Sequence, residues 1–115
     1  MSANANPVAG VSGDGDAVVV RLQGEIDLYN TSALKEALAE ALERGPRRLV
    51  VDLSGVTFID STGLGALVEA KQQLGGADGL ALAAPGLEAR RALQISGLDR
   101  VFAVHETVES ALAGI

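Results

Sequence analysis

Phe58-Ile59-Asp60-Ser61-Thr62-Gly63-Leu64 is the stretch that decides how this chain folds. It joins an apolar run to a helical pattern, since Leu64, Leu67, Val68, Lys71 and Leu74 follow at helical spacing. Asp60, Ser61 and Thr62 are all residue types that cap helix N-termini. A helix start leaves N–H groups unpaired and carries the positive end of the helix dipole. A phosphate on either hydroxyl would meet a partly prepared anion site and, beside Asp60, like-charge repulsion. A hydroxyl between those two forces has the character of a switch. Gly63, inside the first turn, costs helix stability unless something must come close, and a neighbouring backbone or a phosphate is the expected visitor.

Outward from this junction, helical and extended patterns alternate. Upstream, Pro7–Val11 and the β-branched run Val18–Leu22 flank the turn signal Ser12-Gly13-Asp14-Gly15-Asp16, which predicts a hairpin. Gly24-Glu25-Ile26-Asp27 leaves the second strand, and Asn30-Thr31-Ser32 caps a helix running to about Arg44. Its apolar face is Leu34, Leu38, Ala41 and Leu42, and Gly45-Pro46 ends it. Arg48–Leu53 is apolar enough for a central strand, Ser54-Gly55 reads as a turn, and Val56–Ile59 leads into the opening stretch. A helix over Thr62–Leu74 ends at Gly75-Gly76, and Leu80–Ala83 is a third internal strand. A helix follows Pro85-Gly86 as far as Ile95, with Gly97 as its stop, and Val101–Val104 and Val108–Ala113 close the chain as strand and helix. This alternation predicts an α/β fold with right-handed crossovers: a mostly parallel central β-sheet, an N-terminal antiparallel edge hairpin and about four helices.

Composition narrows the chemistry. The chain has 115 residues, enough for one domain with a real core, and aromatics are only 3%, so that core is aliphatic. Cysteine is absent, which removes disulfides and thiolate metal sites. No signal peptide and no run of about 18 apolar residues is present, so a soluble cytoplasmic protein without membrane contact is expected. A net charge of −6, with basic residues clustered only as Arg47-Arg48 and Arg90-Arg91, opposes direct nucleic-acid binding. Those pairs read as solvated charges, and an acidic domain suits a protein partner with a basic surface.

Catalytic readings fare poorly. A serine nucleophile needs a base, and the single histidine, His105, lies far along the chain; no G-x-S-x-G elbow surrounds Ser61. The loop lacks the lysine and spacing of a P-loop, and no carboxylate spacing matches an EF-hand. Asp14-Gly15-Asp16 reads as turn chemistry, and Asp52 as a local hydrogen-bonding residue. No catalytic residue, metal or cofactor is expected.

Three short matches then carry a resemblance. Gly24-Glu25-Ile26-Asp27, Asp60-Ser61-Thr62-Gly63-Leu64 and Ser96-Gly97-Leu98, in this order and setting, resemble the single-domain anti-sigma factor antagonists of the STAS group. The resemblance implies a STAS-like domain over residues 8–115 behind a flexible tail at 1–7. It implies a regulator and not an enzyme, whose unphosphorylated form binds an anti-sigma factor with serine kinase activity and so frees a sigma factor. By the same resemblance Ser61 is the phosphorylated residue, in preference to Thr62, and a PP2C-type phosphatase reverses the modification. Partner binding is assigned to Glu25, Asp27, Asp60, Ser61, Thr62, Gly63 and Leu64, within a surface made of the loop Glu25–Thr31 and the first turn of the following helix, on a monomer or weak dimer. A STAS scaffold subunit of a lipid-transport or sensory complex is the rival reading, against which stand the intact phosphorylation motif and the short chain.

Overall fold

Parallel pairing along the middle of the sheet organises the whole molecule. The computed structural model describes residues 5–74 and 79–113. Strands β1 (Val8–Asp14), β2 (Ala17–Ile26), β3 (Arg48–Ile59), β4 (Leu80–Ala83) and β5 (Ala103–His105) lie side by side in chain order. β1 and β2 are antiparallel and every later pair is parallel. Helices α1 (Thr31–Glu43), α2 (Ser61–Leu74) and α3 (Leu87–Ser96) bridge successive parallel strands, and α4 (Val108–Ala113) follows β5.

Right-handed crossovers between neighbouring parallel strands put all three bridging helices on one face. Leu34, Leu38 and Ala41 of α1, Leu64, Leu67 and Ala70 of α2, and Ala89 and Leu93 of α3 share one buried cluster with Val18, Val20, Leu22, Leu49, Val51, Leu53, Leu80 and Leu82. The opposite face is covered where α4 lays Ala111 against Val19, Val50, Ala81 and Ala83. Small strand residues let that short helix approach closely. Arg48, expected as a solvated charge, is buried beneath α4 and donates from Nη1 to the Ala111 carbonyl at 3.2 Å. A strand residue opposite a helix end satisfies an otherwise orphaned carbonyl there.

The expected turn at Ser54-Gly55 is instead the middle of a continuous strand. Between the pairs Arg21–Asp52 and Gln23–Gly55, β3 carries Leu53 and Ser54 against Leu22 alone on β2. Between Gly24–Val56 and Glu25–Phe58 it gains Thr57 as well. These irregularities act as β-bulges, which resemble turn chemistry in sequence while keeping the strand paired. Asp52 Oδ1 accepts the Ser54 N–H at 2.9 Å and so stabilises the first of them, the local role expected for it. Each extra residue resets the inward alternation, from Leu49, Val51 and Leu53 to Val56 and then Ile59. Phe58 is thereby turned outward.

Other boundaries moved for local reasons. β1 extends to Asp14 because the hairpin turn contracts to Gly15-Asp16, with Gly15 at φ +60°. A 3-10 turn at Leu98–Arg100 delays β5 to Ala103 and leaves Phe102 as a core plug. Of the expected tail, residues 5–7 are held: Pro7 is buried and its carbonyl accepts the Gln23 N–H at 2.8 Å. Residues 1–4 and the expected stop at Gly75-Gly76 lie outside the described residues.

A Cβ at Gly55 would stand 2.9 Å from the Leu22 carbonyl oxygen, which is backbone and cannot swing aside. Gly55→Ala is expected to destabilise the protein by about 1–3 kcal/mol. Urea denaturation should show a lower midpoint with an unchanged slope.

Candidate functional site

The carboxyl end of β3 delivers Asp60 to the mouth of α2. The Asp60 N–H donates to the Ile26 carbonyl at 3.0 Å, tying this corner to the end of β2. Its side-chain Oδ1 accepts from the Thr62 N–H at 2.9 Å, the Gly63 N–H at 3.2 Å and the Thr62 hydroxyl at 2.6 Å. The Leu64 N–H goes to the Asp60 carbonyl at 3.0 Å. Burial pushes the Asp60 carboxyl up, but hydrogen bonds from the Thr62 hydroxyl and from the N–H groups of Gly63, Thr62 and Leu28 outweigh it. The carboxyl is held below its ordinary value of 3.8.

This geometry corrects one expectation. Asp60 already takes the Thr62 and Gly63 amides at the start of α2, so of the two forces expected on a Ser61 phosphate the repulsion from Asp60 remains and the prepared anion site does not. Ser61 itself is exposed, and its side chain makes no hydrogen bond among the described residues. Thr62 is half-buried with its hydroxyl engaged.

Gly63 is a second correction. A Cβ there would lie 2.8 Å from Ile59 Cγ1 and 2.9 Å from Ile26 Cγ2, so the missing side chain admits the protein's own core and no outside visitor. Leu64 is likewise buried in the main cluster. Both hold the first turn of α2 in place, and neither presents a surface to a partner.

The loop between β2 and α1 completes the site. Glu25 is exposed and pairs with Phe58 across the strands. Asp27 Oδ1 accepts the Tyr29 N–H at 3.0 Å, and its carbonyl accepts from Asn30 and Thr31. Asn30 does not cap α1 through its side chain as its type predicts. Buried instead, it accepts from the Asp27 N–H at 2.9 Å and donates to the carbonyls of Glu25 at 2.7 Å and Ala5 at 3.1 Å. The loop is thereby pinned from beneath, and its tip points outward. Leu28 is 65% and Tyr29 74% exposed, and Phe58, across from Glu25, is 47% exposed.

Those three apolar side chains are what reading the residues one by one passed over. Leu28 and Tyr29 fall inside the expected loop, but nothing in their spacing says which way they face. The chain has one tyrosine and two phenylalanines, and of these only Phe102 is in the core. The other two aromatics, Tyr29 and Phe58, are left in water near the ends of β2 and β3, where Glu25, Asp27 and Asp60 also lie.

The competing chemistries gain no geometry. His105 is on β5, two strands from β3, with Nδ1 3.1 Å from Ser110 Oγ. Among the described residues no cluster of three or more potential metal ligands occurs, and no helix is long and apolar enough to cross a membrane. Arg90 and Arg91 are engaged by Glu106 at 3.1 Å and Glu88 at 3.6 Å. A groove of about 570 Å³ lies beside the bulges, lined in part by Gln23, Glu25, Gly55 and Thr57.

Comparison with known proteins agrees with this architecture. The sequence model of the STAS domain matches residues 9–111. Anti-sigma-F factor antagonist RsfB of Mycobacterium tuberculosis is 35% identical over 115 residues, spanning 100% of this chain and 94% of its own. The anti-sigma-B factor antagonist of Staphylococcus aureus is 35% identical over 92 residues, or 78% of this chain and 84% of that protein. A crystal structure of an anti-sigma factor antagonist from Mycobacterium paratuberculosis superposes with a TM-score of 0.85 at 34% identity, covering 91% of this chain and 90% of that one.

The Asp60 carboxyl yields a pH test. A carboxyl whose folded pKa is depressed contributes stability that is present above its unfolded value and lost as pH falls through the folded one. Asp60→Asn should therefore cost most near neutrality, and its deficit against the wild type should shrink on acidification to about pH 3. Parallel thermal melts across that range are the measurement; a deficit that grows on acidification contradicts the assignment.

Proposed function

We propose, on the premise that this chain belongs to the STAS-domain family and to its anti-sigma factor antagonists, that its docking is switched by phosphorylation of Ser61. The unphosphorylated chain docks on an anti-sigma factor that is also a serine kinase, and a sigma factor is released. In the modification step the Ser61 hydroxyl oxygen attacks the γ-phosphorus of ATP held by that partner. ADP leaves, and the hydroxyl proton passes to a base on the kinase. A PP2C-type phosphatase hydrolyses the ester and restores docking. On this reading the chain is itself a substrate, with no catalytic residues of its own, and works in the cytoplasm.

One observation carries the reading: the Ser61 hydroxyl is exposed and unengaged at the edge of a patch that pairs apolar side chains with carboxylates. Apolar area supplies affinity, carboxylates supply orientation, and the hydroxyl supplies the control point. Phosphorylation adds roughly −1.5 to −2 charge, taking the formal −6 to about −8. Each unit of that charge about 4 Å from a carboxylate is repelled by roughly 1 kcal/mol in water and about 4 kcal/mol at a protein surface. Asp60 already holds the amides of Thr62 and Gly63, so the dianion is pushed outward to where a partner would sit. Desolvating it there without a cation costs several kcal/mol, and each 1.4 kcal/mol is about tenfold in affinity. Docking ends with no change of fold.

Two experiments test this. Mixing the purified chain with candidate anti-sigma kinases and ATP should place one phosphate on Ser61 by mass spectrometry. Ser61→Ala should bind without being labelled there, and Ser61→Asp should bind more weakly; stoichiometric labelling of another residue in Ser61→Ala refutes the acceptor. Separately, Tyr29→Ala should weaken kinase binding by about 10- to 100-fold in titration calorimetry while leaving the melting temperature unchanged. Unaltered affinity would remove the apolar patch from the interface.

A further inference from the structure

Two hydroxyls stand side by side at the start of α2, and a kinase that reached one would come close to the other. Their surroundings differ sharply. We propose that Asp60 decides between them: by holding the Thr62 hydroxyl it leaves Ser61 as the acceptor. The inference rests on the reading that a kinase acts at this corner, and it assigns Asp60 a specificity-determining role there.

Phosphoryl transfer asks an acceptor oxygen to point a lone pair at the γ-phosphorus and to surrender its proton to the kinase. The P–O bond to the β-phosphate breaks, ADP departs, and the new ester bond forms at the attacking oxygen. Thr62 is poorly placed for this. Its hydroxyl donates to Asp60 Oδ1 at 2.6 Å, within the short range of charge-assisted O–H···O⁻ bonds. Turning outward would break that bond by rotation about χ1, in a β-branched residue whose helical rotamers are already few. Its own N–H is tied to the same oxygen, so side chain and backbone hold Thr62 in one orientation.

A carboxylate accepting a hydroxyl proton can also be an activating base, and here the geometry argues against that. Oδ1 accepts three donors at once, which spends its lone pairs and lowers its proton affinity. A carboxylate so stabilised is a weak base. It restrains Thr62 without activating it. Ser61, the first residue of α2, is exposed, and its hydroxyl makes no hydrogen bond among the described residues.

The test removes the acceptor oxygen at a modest cost to the helix start. Asp60→Gly leaves an N-cap residue type only a few tenths of a kcal/mol poorer than aspartate, but nothing to hold the Thr62 hydroxyl. With ATP and the kinase that labels the wild type, site-resolved mass spectrometry gives the ratio of Thr62 to Ser61 phosphate within one sample. Weaker kinase binding therefore does not distort the comparison. The Thr62 share is expected to rise at least tenfold in Asp60→Gly and by less in Asp60→Asn, whose neutral amide oxygen is a weaker acceptor. An unchanged share in both variants overturns the proposal.

A second measurement needs no kinase. In the wild type, NMR should detect a slowly exchanging Thr62 hydroxyl proton that is lost in Asp60→Gly, while the Ser61 proton exchanges rapidly in both. Equal exchange at the two hydroxyls in the wild type overturns the proposal. A wild-type chain that no kinase labels counts against the proposed function, whereas the exchange rates still decide whether Asp60 holds Thr62.

Discussion

One carboxylate ties together the parts of this molecule that meet at its functional corner. Asp60 links β3 to the end of β2 through its backbone N–H, takes the first amides of α2 on its side chain, and receives the Leu28 N–H of the neighbouring loop. Strand end, helix start and loop are thereby fixed relative to one another. Without a cap at that position, buried amides at the start of α2 would lack acceptors, and the hydroxyls beside it would have no defined environment.

The core beneath serves the same corner. Gly63 admits Ile26 and Ile59 to the first turn of α2, so the helix sits against the strand ends with no side chain between. The bulges in β3 change which residues face inward, burying Val56 and Ile59 and exposing Phe58. Asn30 gives its side-chain oxygen to the Asp27 N–H and its amide to the carbonyls beneath the loop, and so forgoes the cap that its type predicts. Each is a local departure from ideal strand or helix geometry, and Gly63 and the second bulge lie within a few residues of Ser61. Such departures are where local sequence rules give way to function.

Much of this was legible in the chain. Alternating apolar periods, with Gly45-Pro46 and Gly97 as stops, placed the helices and the parallel strands within a few residues, because those signals are local. The bulge at Ser54-Gly55 was not legible as such. A serine and a glycine after an aspartate signal a turn equally well in an isolated peptide, and only pairing with β2 keeps the strand extended. Arg48 deceived for a related reason: charge predicts exposure until a helix end supplies a buried carbonyl for it.

By itself, the order of residues determined the fold class, the place of the helix start and the two hydroxyls at its mouth, since periodicity and capping act over a handful of neighbours. It also determined that the chain carries too few basic residues and no cysteine for several other kinds of chemistry. Only the tertiary structure decided that Thr62 is bound while Ser61 is open, that Gly63 and Leu64 face inward, and that Tyr29, Leu28 and Phe58 are exposed. Those facts depend on which way side chains point once strands distant in sequence have paired, and no local pattern contains that direction.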